Sequence, residues 1–480
     1  MALVRRPRII ALVTLAMLNA FTIAAGFSLT GLIGAHRALL AAPRVAAWPI
    51  VAPGTVLVPD GPSGLLPSRR GLAAGLSPLL ASRALGPDVG AVVTEPASGD
   101  VLFSSGGSAF LTPASTTKLA TSVAALTVLG PDARFTTRVL LGSGPGNVVL
   151  VGGGDPTLAA GRPPAADYPQ PATLAALAEA TARALRAAHI EAVRVGYDTS
   201  LYSGPGTAPG WDADDVATGN VTPVNALEVD QGRLTRRGRP EDADDPVNYR
   251  PRSQDSAVVA ARAFAGLLAG DGIRVTGRPR PARAAPGAAE LAKVASPPLS
   301  EIVEWMLIES NNDIAEALAR NVAIATGRPA SFAGGAAAVR ATLGRLGAAA
   351  GVHTVDGSGL SHEDRITPAA LARLIALAAS PRQPQLRPII TGLPVAGFSG
   401  TLSSAEDRFV TTLSAPAVGL VRAKTGTLNH VRALAGVVVD KDGRLLAFAF
   451  MIDRVPARTM AAAAIILDRL AAVLAGCGCR

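Results

Sequence analysis

The segment Pro113-Ala114-Ser115-Thr116-Thr117-Lys118 stands directly before an apolar-rich run at residues 119–129. A proline fits the first turn of a helix, and the apolar run predicts that this helix is buried. Ser115 and Lys118 are three residues apart, so on a helix they share one face with Cβ atoms about 5–6 Å apart. The lysine amine can then reach the serine hydroxyl, although such a pair by itself fits a plain helix N-cap region equally well.

The chemical use of such a pair depends on the charge of the lysine. A serine hydroxyl is a weak nucleophile until a base takes its proton, and a lysine can be that base only when neutral. Lowering a lysine pKa from about 10.4 towards 7 costs roughly 4–5 kcal/mol, which burial and a nearby cation can supply. We therefore expect Lys118 to be buried, with Lys424 as the natural second cation.

Two β-hairpin patterns frame the body of the chain. Residues 89–94 and 101–104 flank one turn, and residues 431–439 and 445–452 flank another. Strands at both ends with helices between them predict one α/β domain whose sheet joins distant segments. We assign residues 71–133 and 284–476 to this discontinuous catalytic domain and residues 134–283 to one or more inserted accessory domains.

Further elements are predicted from hydrophobic periodicity. The predicted helices are residues 172–188, 299–324, 368–379 and 456–474, and the predicted strands within the insert are residues 148–151 and 193–197. A polar, charged loop at residues 233–255 is the best candidate for a boundary within the insert.

The N-terminus predicts a location outside the cytoplasm. Residues 9–35 carry no charge, and a helix of this length exceeds the roughly 30 Å hydrocarbon core of a membrane. Three arginines precede it, so residues 1–8 are expected to stay cytoplasmic and the body to lie on the cell-wall side of the cell membrane. A cleaved signal sequence, and hence secretion, is the alternative. The prolines of residues 36–70 predict an extended linker.

Composition excludes several classes of protein. The formal charge of +9 is partly due to four arginines that flank the apolar N-terminal segment, and no dense basic run with interleaved aromatics remains, so we expect no nucleic-acid partner. Cys477 and Cys479 are the only cysteines, and the histidines have no H-E-x-x-H spacing. Neither a disulfide framework, a metal nor another cofactor is expected.

Two further motifs make the Ser-x-x-Lys pair specific for one class of protein. Ser310-Asn311-Asn312 alone could be a helix cap, and Lys424-Thr425-Gly426-Thr427 alone a strand-edge turn. All three in this order resemble the signature of penicillin-binding proteins and serine β-lactamases. Segments that narrow the match are Gly153-Gly154-Asp155-Pro156-Thr157-Leu158, Pro209-Gly210-Trp211, Asp356-Gly357-Ser358-Gly359-Leu360-Ser361, Leu393-Pro394-Val395-Ala396-Gly397 and Gly400-Thr401-Leu402.

Together these segments resemble the D-alanyl-D-alanine carboxypeptidase/endopeptidase family typified by penicillin-binding protein 4, the S13 peptidases, over roughly residues 75–470. The resemblance implies an α/β (α+β) fold with an antiparallel sheet flanked by helices, as in the penicillin-binding and serine β-lactamase-like transpeptidase fold, plus smaller inserted domains. It also implies a serine hydrolase that cleaves the D-Ala-D-Ala bond of peptidoglycan stem peptides, with the D-Ala-diaminopimelate cross-link as a second candidate bond.

The resemblance also implies catalytic roles. Ser115 would attack the carbonyl between two D-alanines and become acylated, with Lys118 as general base. Ser310 would relay a proton to the departing amine, Asn312 would hold the substrate amide, and Lys424 would supply positive charge. Water would then hydrolyse the acyl-enzyme, and β-lactams would acylate the same serine.

Substrate contacts follow from the same resemblance. Thr425, Gly426 and Thr427 would form the binding site for the terminal carboxylate. Backbone N–H groups of Ser115 and Thr427 would form the oxyanion hole, where one donor is commonly worth about 3–4 kcal/mol. Asn311 is expected to point away from the site and to be free to vary.

Asp215 is a separate candidate. In the family that this chain resembles, an acid after Pro-Gly-Trp is associated with the free amine of a diaminopimelate side chain. Residues 211–215 match that region, so Asp215 is predicted to pair with a substrate ammonium. The alternative is that the acids of this segment are ordinary solvated loop charges.

Two rival functions remain open from the sequence. A β-lactamase or esterase on the same scaffold would need an efficient deacylating base, for which no motif is present beyond the shared set. A non-catalytic envelope-binding protein would be expected to have lost part of the set Ser115, Lys118, Ser310, Asn312 and Lys424. We therefore favour a membrane-tethered DD-peptidase.

Overall fold

The computed structural model describes residues 65–164, 168–234 and 250–478. The chain separates into two compact units, Met1–Ser63 and Gly64–Arg480, and all described residues belong to the second. The predicted cytoplasmic segment and membrane segment, and most of the predicted linker, lie outside the described residues. Within the described ranges, none of the helices combines the length and apolar character needed to cross a bilayer.

Thirteen strands are present in the described residues. They are β1 (Asp88–Thr94), β2 (Val101–Ser105), β3 (Thr136–Leu141), β4 (Asn147–Val151), β5 (Ala192–Asp198), β6 (Arg274–Val275), β7 (Arg280–Pro281), β8 (Glu290–Ala295), β9 (Val352–His353), β10 (Arg365–Ile366), β11 (Val421–Leu428), β12 (Val431–Val439) and β13 (Leu445–Asp453).

The same residues form ten α-helices. They are α1 (Arg69–Leu80), α2 (Lys118–Leu129), α3 (Leu174–Ala187), α4 (Ser256–Gly270), α5 (Leu299–Glu309), α6 (Asn312–Ala325), α7 (Phe332–Arg345), α8 (Pro368–Ala379), α9 (Arg387–Thr391) and α10 (Met460–Ala475).

The larger body is built on a five-stranded sheet in the order β11-β12-β13-β1-β2. Every neighbouring pair in it is antiparallel, which confirms the predicted fold class. Both predicted hairpins are present, and the pairing of β1 with β13 joins segments more than 350 residues apart in the chain. Two segments that are distant in the sequence therefore build one sheet, and in the described residues the helices between those segments cover one of its faces.

Alternation along the strands divides the core into two layers. Val92 packs in a cluster with α2, α5, α6, α7 and α8, whereas its neighbours Ala91 and Val93 pack with α1 and α10 on the opposite face. Successive strand residues point to opposite faces, so a sheet with helices on both sides needs apolar residues at every position of its central strands. The run Leu445–Asp453 is accordingly buried at all but its two end residues.

A second sheet lies in the middle of the sequence. Its path is β6-β5-β4-β3-β8, with β7 beside β5. β4, β5, β6 and β7 run parallel to one another, whereas β3 is antiparallel to both of its neighbours. Helices α3 and α4 pack on it in a hydrophobic core of its own. The sheet extends to Ala295, beyond the predicted insert boundary at residue 283; the division of the chain into domains stays a prediction.

One predicted helix is wrong in its continuity. The sequence predicts helical structure over residues 299–324, but α5 ends at Glu309 and α6 begins at Asn312. Ser310 between them has φ 57° and ψ 35°, a left-handed conformation that no α-helix continues through. The side chain of Asn311 then caps α6 by accepting a hydrogen bond from the N–H of Ile314 at 3.0 Å. The Ser-Asn-Asn motif therefore forms the turn between α5 and α6.

Candidate active site

The segment around Ser115 is held in a tight turn. Ala114–Thr117 form a 3₁₀ turn, and α2 begins only at Lys118. Ala114 is fully buried with φ 48°, an uncommon conformation for a residue with a Cβ that persists only when the surroundings enforce it. Two hydrogen bonds from Thr112, through its N–H at 3.0 Å and its hydroxyl at 2.7 Å, fix the start of the turn to Asp453 at the end of β13.

Lys118 lies at the centre of the site with its side chain fully buried. Its Nζ lies 2.9 Å from Ser115 Oγ, 2.6 Å from Asn312 Oδ1 and 2.9 Å from the carbonyl oxygen of Ser358. Two of these three partners, the amide oxygen and the carbonyl oxygen, can only accept hydrogen bonds. A neutral amine has two N–H donors and one lone pair, so donating to both acceptors leaves its lone pair for the hydroxyl proton of Ser115.

Burial is what makes that neutral form accessible. Desolvation lowers the pKa of Lys118 to about 7, against the opposing effect of nearby carboxyl groups. The carboxyl groups that raise it are those of Asp356, Glu316, Asp313 and Asp364. A lysine with this pKa is partly neutral at physiological pH, as a general base requires.

Lys424 forms the second cationic position, on β11. It is fully buried, and its Nζ donates to Ser310 Oγ at 2.8 Å and to the carbonyl oxygen of Thr425 at 3.0 Å. Burial, followed by the positive charge of Lys118, holds the pKa of Lys424 well below its ordinary value. The positive charge of Lys118 thus lowers the pKa of Lys424, whereas the pKa of Lys118 itself is lowered by burial, as expected, and Lys424 is not among the causes of that shift.

Gly426 allows β11 to approach the turn that holds Ser115. A Cβ at this position would lie 2.6 Å from the carbonyl oxygen of Pro113, so only glycine fits. Thr425, beside it, is buried and shares a 2.7 Å hydrogen bond with the hydroxyl of Thr401. Thr427 is exposed. The motif thus places one buried and one solvent-facing threonine on the strand edge next to the serine.

The two asparagines of the second motif have different partners. Asn312 accepts from Lys118 through Oδ1 and donates through Nδ2 to the carbonyl oxygen of Asn220 at 2.8 Å. Asn311 is buried, and besides capping α6 it donates to Gln231 Oε1 at 2.7 Å. The expectation that Asn311 points away from the lysine holds, but the expectation that it is free to vary is wrong, because its amide closes two hydrogen bonds inside the protein.

Glu316 is a site residue that the sequence did not reveal. Its carboxyl is buried and accepts hydrogen bonds from the backbone N–H groups of Gly357 and Ser358, at 2.8 to 3.1 Å. Because Ser358 in turn accepts from Lys118, Glu316 fixes the orientation of a carbonyl that the amine needs. Glu316 stands four residues after Asn312, on the same helix face, and that spacing is the signal that could have identified it.

The loop of Asp215 packs against the same turn. The indole N–H of Trp211 donates to Asp356 Oδ2 at 2.8 Å. Asp215 itself is buried, and its two oxygens accept from the N–H of Asp212 at 2.8 Å and from Asn220 Nδ2 at 2.9 Å. Burial raises its pKa. Asp215 thus connects to Asn312 through Asn220, while its carboxylate oxygens are directed into its own loop.

A cavity of ≈ 1060 Å³ opens beside this constellation. Its lining includes Thr112 before the serine turn, Asn429 after the Lys-Thr-Gly motif, Trp211, and His362 after the Asp356 turn. None of the three motifs contributes to its lining, so it adjoins the reactive groups and does not contain them. Within the described residues, no cluster of three or more His, Cys, Asp or Glu side chains could hold a metal ion.

The site has a serine hydroxyl in contact with the amine of a buried lysine, Lys118, and a second serine–lysine contact between Ser310 and Lys424. This arrangement is the one that an active-serine hydrolase with a lysine base requires. The match of a family model over residues 72–250 and 237–473 is more specific. The chain belongs to the D-Ala-D-Ala carboxypeptidase 3 (S13) family. The resemblance stated from the motifs, and the class of serine carboxypeptidase, are confirmed.

Individual relatives agree with this assignment. Carboxypeptidase DacB of Mycolicibacterium smegmatis is 40% identical over 432 residues, which cover 88% of each chain. A carboxypeptidase of Mycobacterium tuberculosis is 39% identical over 462 residues, 93% of this chain and 92% of that one. Penicillin-binding protein 4 of Haemophilus influenzae has the same fold, with a TM-score of 0.67 at 23% identity over 82% of this chain and 97% of that chain; a second structure of that protein contains a β-lactam.

The pH dependence of turnover tests the charge state of Lys118. With a pKa of about 7, the neutral fraction of the amine grows roughly tenfold per pH unit below that value and levels off above it. We expect kcat/KM for release of D-alanine from an acyl-D-Ala-D-Ala peptide to follow this curve. Lys118→Arg, which cannot deprotonate, should be inactive, whereas Lys293→Arg at an exposed position should behave as wild type. A rate that keeps rising towards pH ~10 would contradict the assignment.

Proposed function

We propose that this chain is an extracytoplasmic serine DD-peptidase that cleaves the D-Ala-D-Ala bond of peptidoglycan stem peptides through an acyl-enzyme on Ser115. The observation that carries the proposal is the 2.9 Å contact between Ser115 Oγ and the amine of Lys118, whose pKa lies at about 7. Family membership supplies the substrate class.

Acylation begins with proton transfer from Ser115 to Lys118. The hydroxyl oxygen attacks the carbonyl carbon between the two D-alanines, and the amine of Lys118 takes the hydroxyl proton. Backbone N–H groups of Ser115 and Thr427 stabilise the negative charge that develops on the carbonyl oxygen. Asn312, already oriented by Lys118 and Asn220, presents its remaining amide hydrogen to the substrate.

Departure of D-alanine requires a proton on its nitrogen. Ser310 is suited to relay it. Its hydroxyl donates its own proton to the leaving nitrogen and receives in its place the proton that Lys118 took from Ser115, while Lys424 holds the Ser310 oxygen at 2.8 Å. Lys424 also provides positive charge for the terminal carboxylate, which hydroxyl groups of Thr425 and Thr427 bind. A carboxylate in this position would raise the lowered pKa of Lys424. Substrate binding would therefore favour the charged form of Lys424, which in turn attracts the substrate carboxylate.

Peptidoglycan peptides and β-lactams are the proposed partners. A β-lactam presents a reactive carbonyl in place of the D-Ala-D-Ala amide, and its ring-opened acyl group stays attached to Ser115 when no leaving group departs. The complex of a β-lactam with penicillin-binding protein 4 of Haemophilus influenzae supports the idea. We further propose that the N-terminal apolar segment, residues 9–35, tethers the catalytic body to the cell membrane on the cell-wall side.

Labelling and turnover together distinguish this function from its rivals. With labelled penicillin and an acyl-D-Ala-D-Ala peptide, we expect a long-lived adduct and release of D-alanine. Ser115→Ala should abolish both, with at least about 10³-fold loss of turnover. Ser122→Ala, which removes a hydroxyl of the following helix α2, should retain labelling. Rapid penicillin hydrolysis would favour a β-lactamase, absence of both reactions a binding protein, and labelling of Ser115→Ala would refute the nucleophile.

Asp215 is proposed to recognise the ammonium of a diaminopimelate side chain. Its position beside Asn220, which touches Asn312, supports a location near the bound peptide. We expect Asp215→Ala to lower the preference for an amine-bearing peptide over its acylated analogue by about tenfold, the size of one charged hydrogen bond. Asp214→Ala, at an exposed neighbour, is the control. An equal loss with both peptides would mean that Asp215 only holds its loop.

A further inference from the structure

A second cavity lies on the sheet of the inserted region, and no residue of the three motifs belongs to its lining. Its volume is ≈ 580 Å³, and β4, β5, β7 and the segment before β7 contribute to its walls. Four arginines line it: Arg194, Arg278, Arg280 and Arg283. No acidic and no aromatic residue of the described chain belongs to its lining. Nothing in the proposed mechanism uses it.

Sheet geometry explains how the arginines come together. Arg194 lies on β5 between buried Val193 and Val195, so it points to the face opposite the hydrophobic core. β7 runs parallel to β5, with Arg280 as partner of Gly196, two residues beyond Arg194. Gly196 also lines the cavity. No side chain fits at this position, because a Cβ there would lie 2.6 Å from the Cβ of Ala282.

The remaining arginines come from one short segment, Arg278-Pro279-Arg280-Pro281-Ala282-Arg283. Its two prolines restrict the backbone to extended conformations, which lowers the entropy lost when the side chains bind a ligand. Pairing of the segment with β5 and the hydrogen bond from the N–H of Ala282 to the carbonyl oxygen of Tyr197 at 2.9 Å fix its position.

The charge of this cavity is largely uncompensated. Within the described residues, no salt bridge or side-chain hydrogen bond involves Arg194, Arg278 or Arg280, and all three are exposed. Arg283 interacts electrostatically with Asp198, whose carboxylate oxygens already accept from the N–H groups of Ser200 and Ala284, each at 2.8 Å. Like charges gathered around one concave surface repel one another unless an anion lies between them.

We propose that this arginine-lined cavity binds a phosphodiester-linked anionic polymer of the cell envelope and so holds the enzyme beside its substrate layer. Guanidinium groups bind phosphate oxygens in a bidentate manner. The cavity is many times larger than one phosphate, which favours successive groups of a chain. Because no aromatic side chain is present for bases to stack on, a polymer without bases fits better than nucleic acid. The choice of compartment rests on the proposed function.

Binding of sodium polyphosphate, used as the probe, tests the site. Titration of the protein should give saturable binding that weakens with salt. Arg194→Gln/Arg278→Gln/Arg280→Gln should weaken it by at least about tenfold. The matched control is Arg340→Gln/Arg373→Gln/Arg382→Gln, which removes the same charge from helix α7, helix α8 and the turn after α8 and should bind as wild type. Equal weakening in both triple variants would mean that binding depends only on the net charge of the protein, and it would overturn the proposal.

Binding of other anions, and a protection experiment on the wild-type protein, complete the test. Polyglutamate, single-stranded oligothymidine and inorganic phosphate should each bind more weakly than polyphosphate, and any of them binding as well would overturn the assigned chemistry. In the wild-type protein, modification of arginines by phenylglyoxal can be mapped by mass spectrometry. Polyphosphate should protect the arginines of the cavity from modification but should not protect Arg340. Equal protection of all arginines would refute the site. Penicillin labelling of Ser115 should be unchanged in the triple variant, so failure of this proposal is distinguishable from failure of the proposed function.

Discussion

The desolvated amine of Lys118 is the constraint on which the rest of this active site depends. Burying an ammonium without compensation is costly. In this site burial therefore destabilises the charged form of Lys118 and favours the neutral amine. Acceptors from two separate parts of the fold, Asn312 on α6 and the carbonyl oxygen of Ser358 in a turn, hold the two amine hydrogens. What remains is a lone pair aimed at Ser115. Loss of either acceptor would leave the amine free to rotate away.

The fold explains why these groups meet. α2 carries Lys118 and packs on one face of the five-stranded sheet, together with α6. β11, at the sheet edge, brings Lys424 and the glycine that lets the strand approach the serine turn. The second sheet interrupts the sequence between α2 and α5, and it also delivers the loop of Trp211 against the Asp356 turn. The site is therefore assembled from segments that are distant in sequence but fixed by one core.

The parts predicted correctly from sequence are those with a local signal. Short apolar runs flanked by turn residues located β1, β2, β12 and β13 almost to the residue, because both signals are read from neighbouring positions. The three motifs located the residues that the structure joins by hydrogen bonds, Lys118 with Ser115 and Asn312, and Lys424 with Ser310. The break at Ser310 was missed because apolar periodicity continues on both sides of it.

Long-range partners carry no such local signal. The hydrogen bonds of Glu316 to Gly357 and Ser358, and that of Asn311 to Gln231, join residues whose proximity depends on tertiary packing. The carboxyl groups that act on Lys118 are of the same kind. The sequence predicted that Lys118 must be buried to be neutral, whereas only the fold shows that Asp356, Glu316, Asp313 and Asp364 lie near enough to oppose the effect of burial on its pKa.

The most direct test of this account is the ionisation of Lys118 itself. The chain has only four lysines, so protein labelled with ¹³C at lysine Cε gives four signals, with exposed Lys293 and Lys441 as internal references. Lys118→Arg assigns the signal of interest by its loss. The signal of Lys118 should titrate with a midpoint near pH 7. A Lys118 signal with a midpoint near pH ~10, the ordinary value for a lysine, would contradict the central claim.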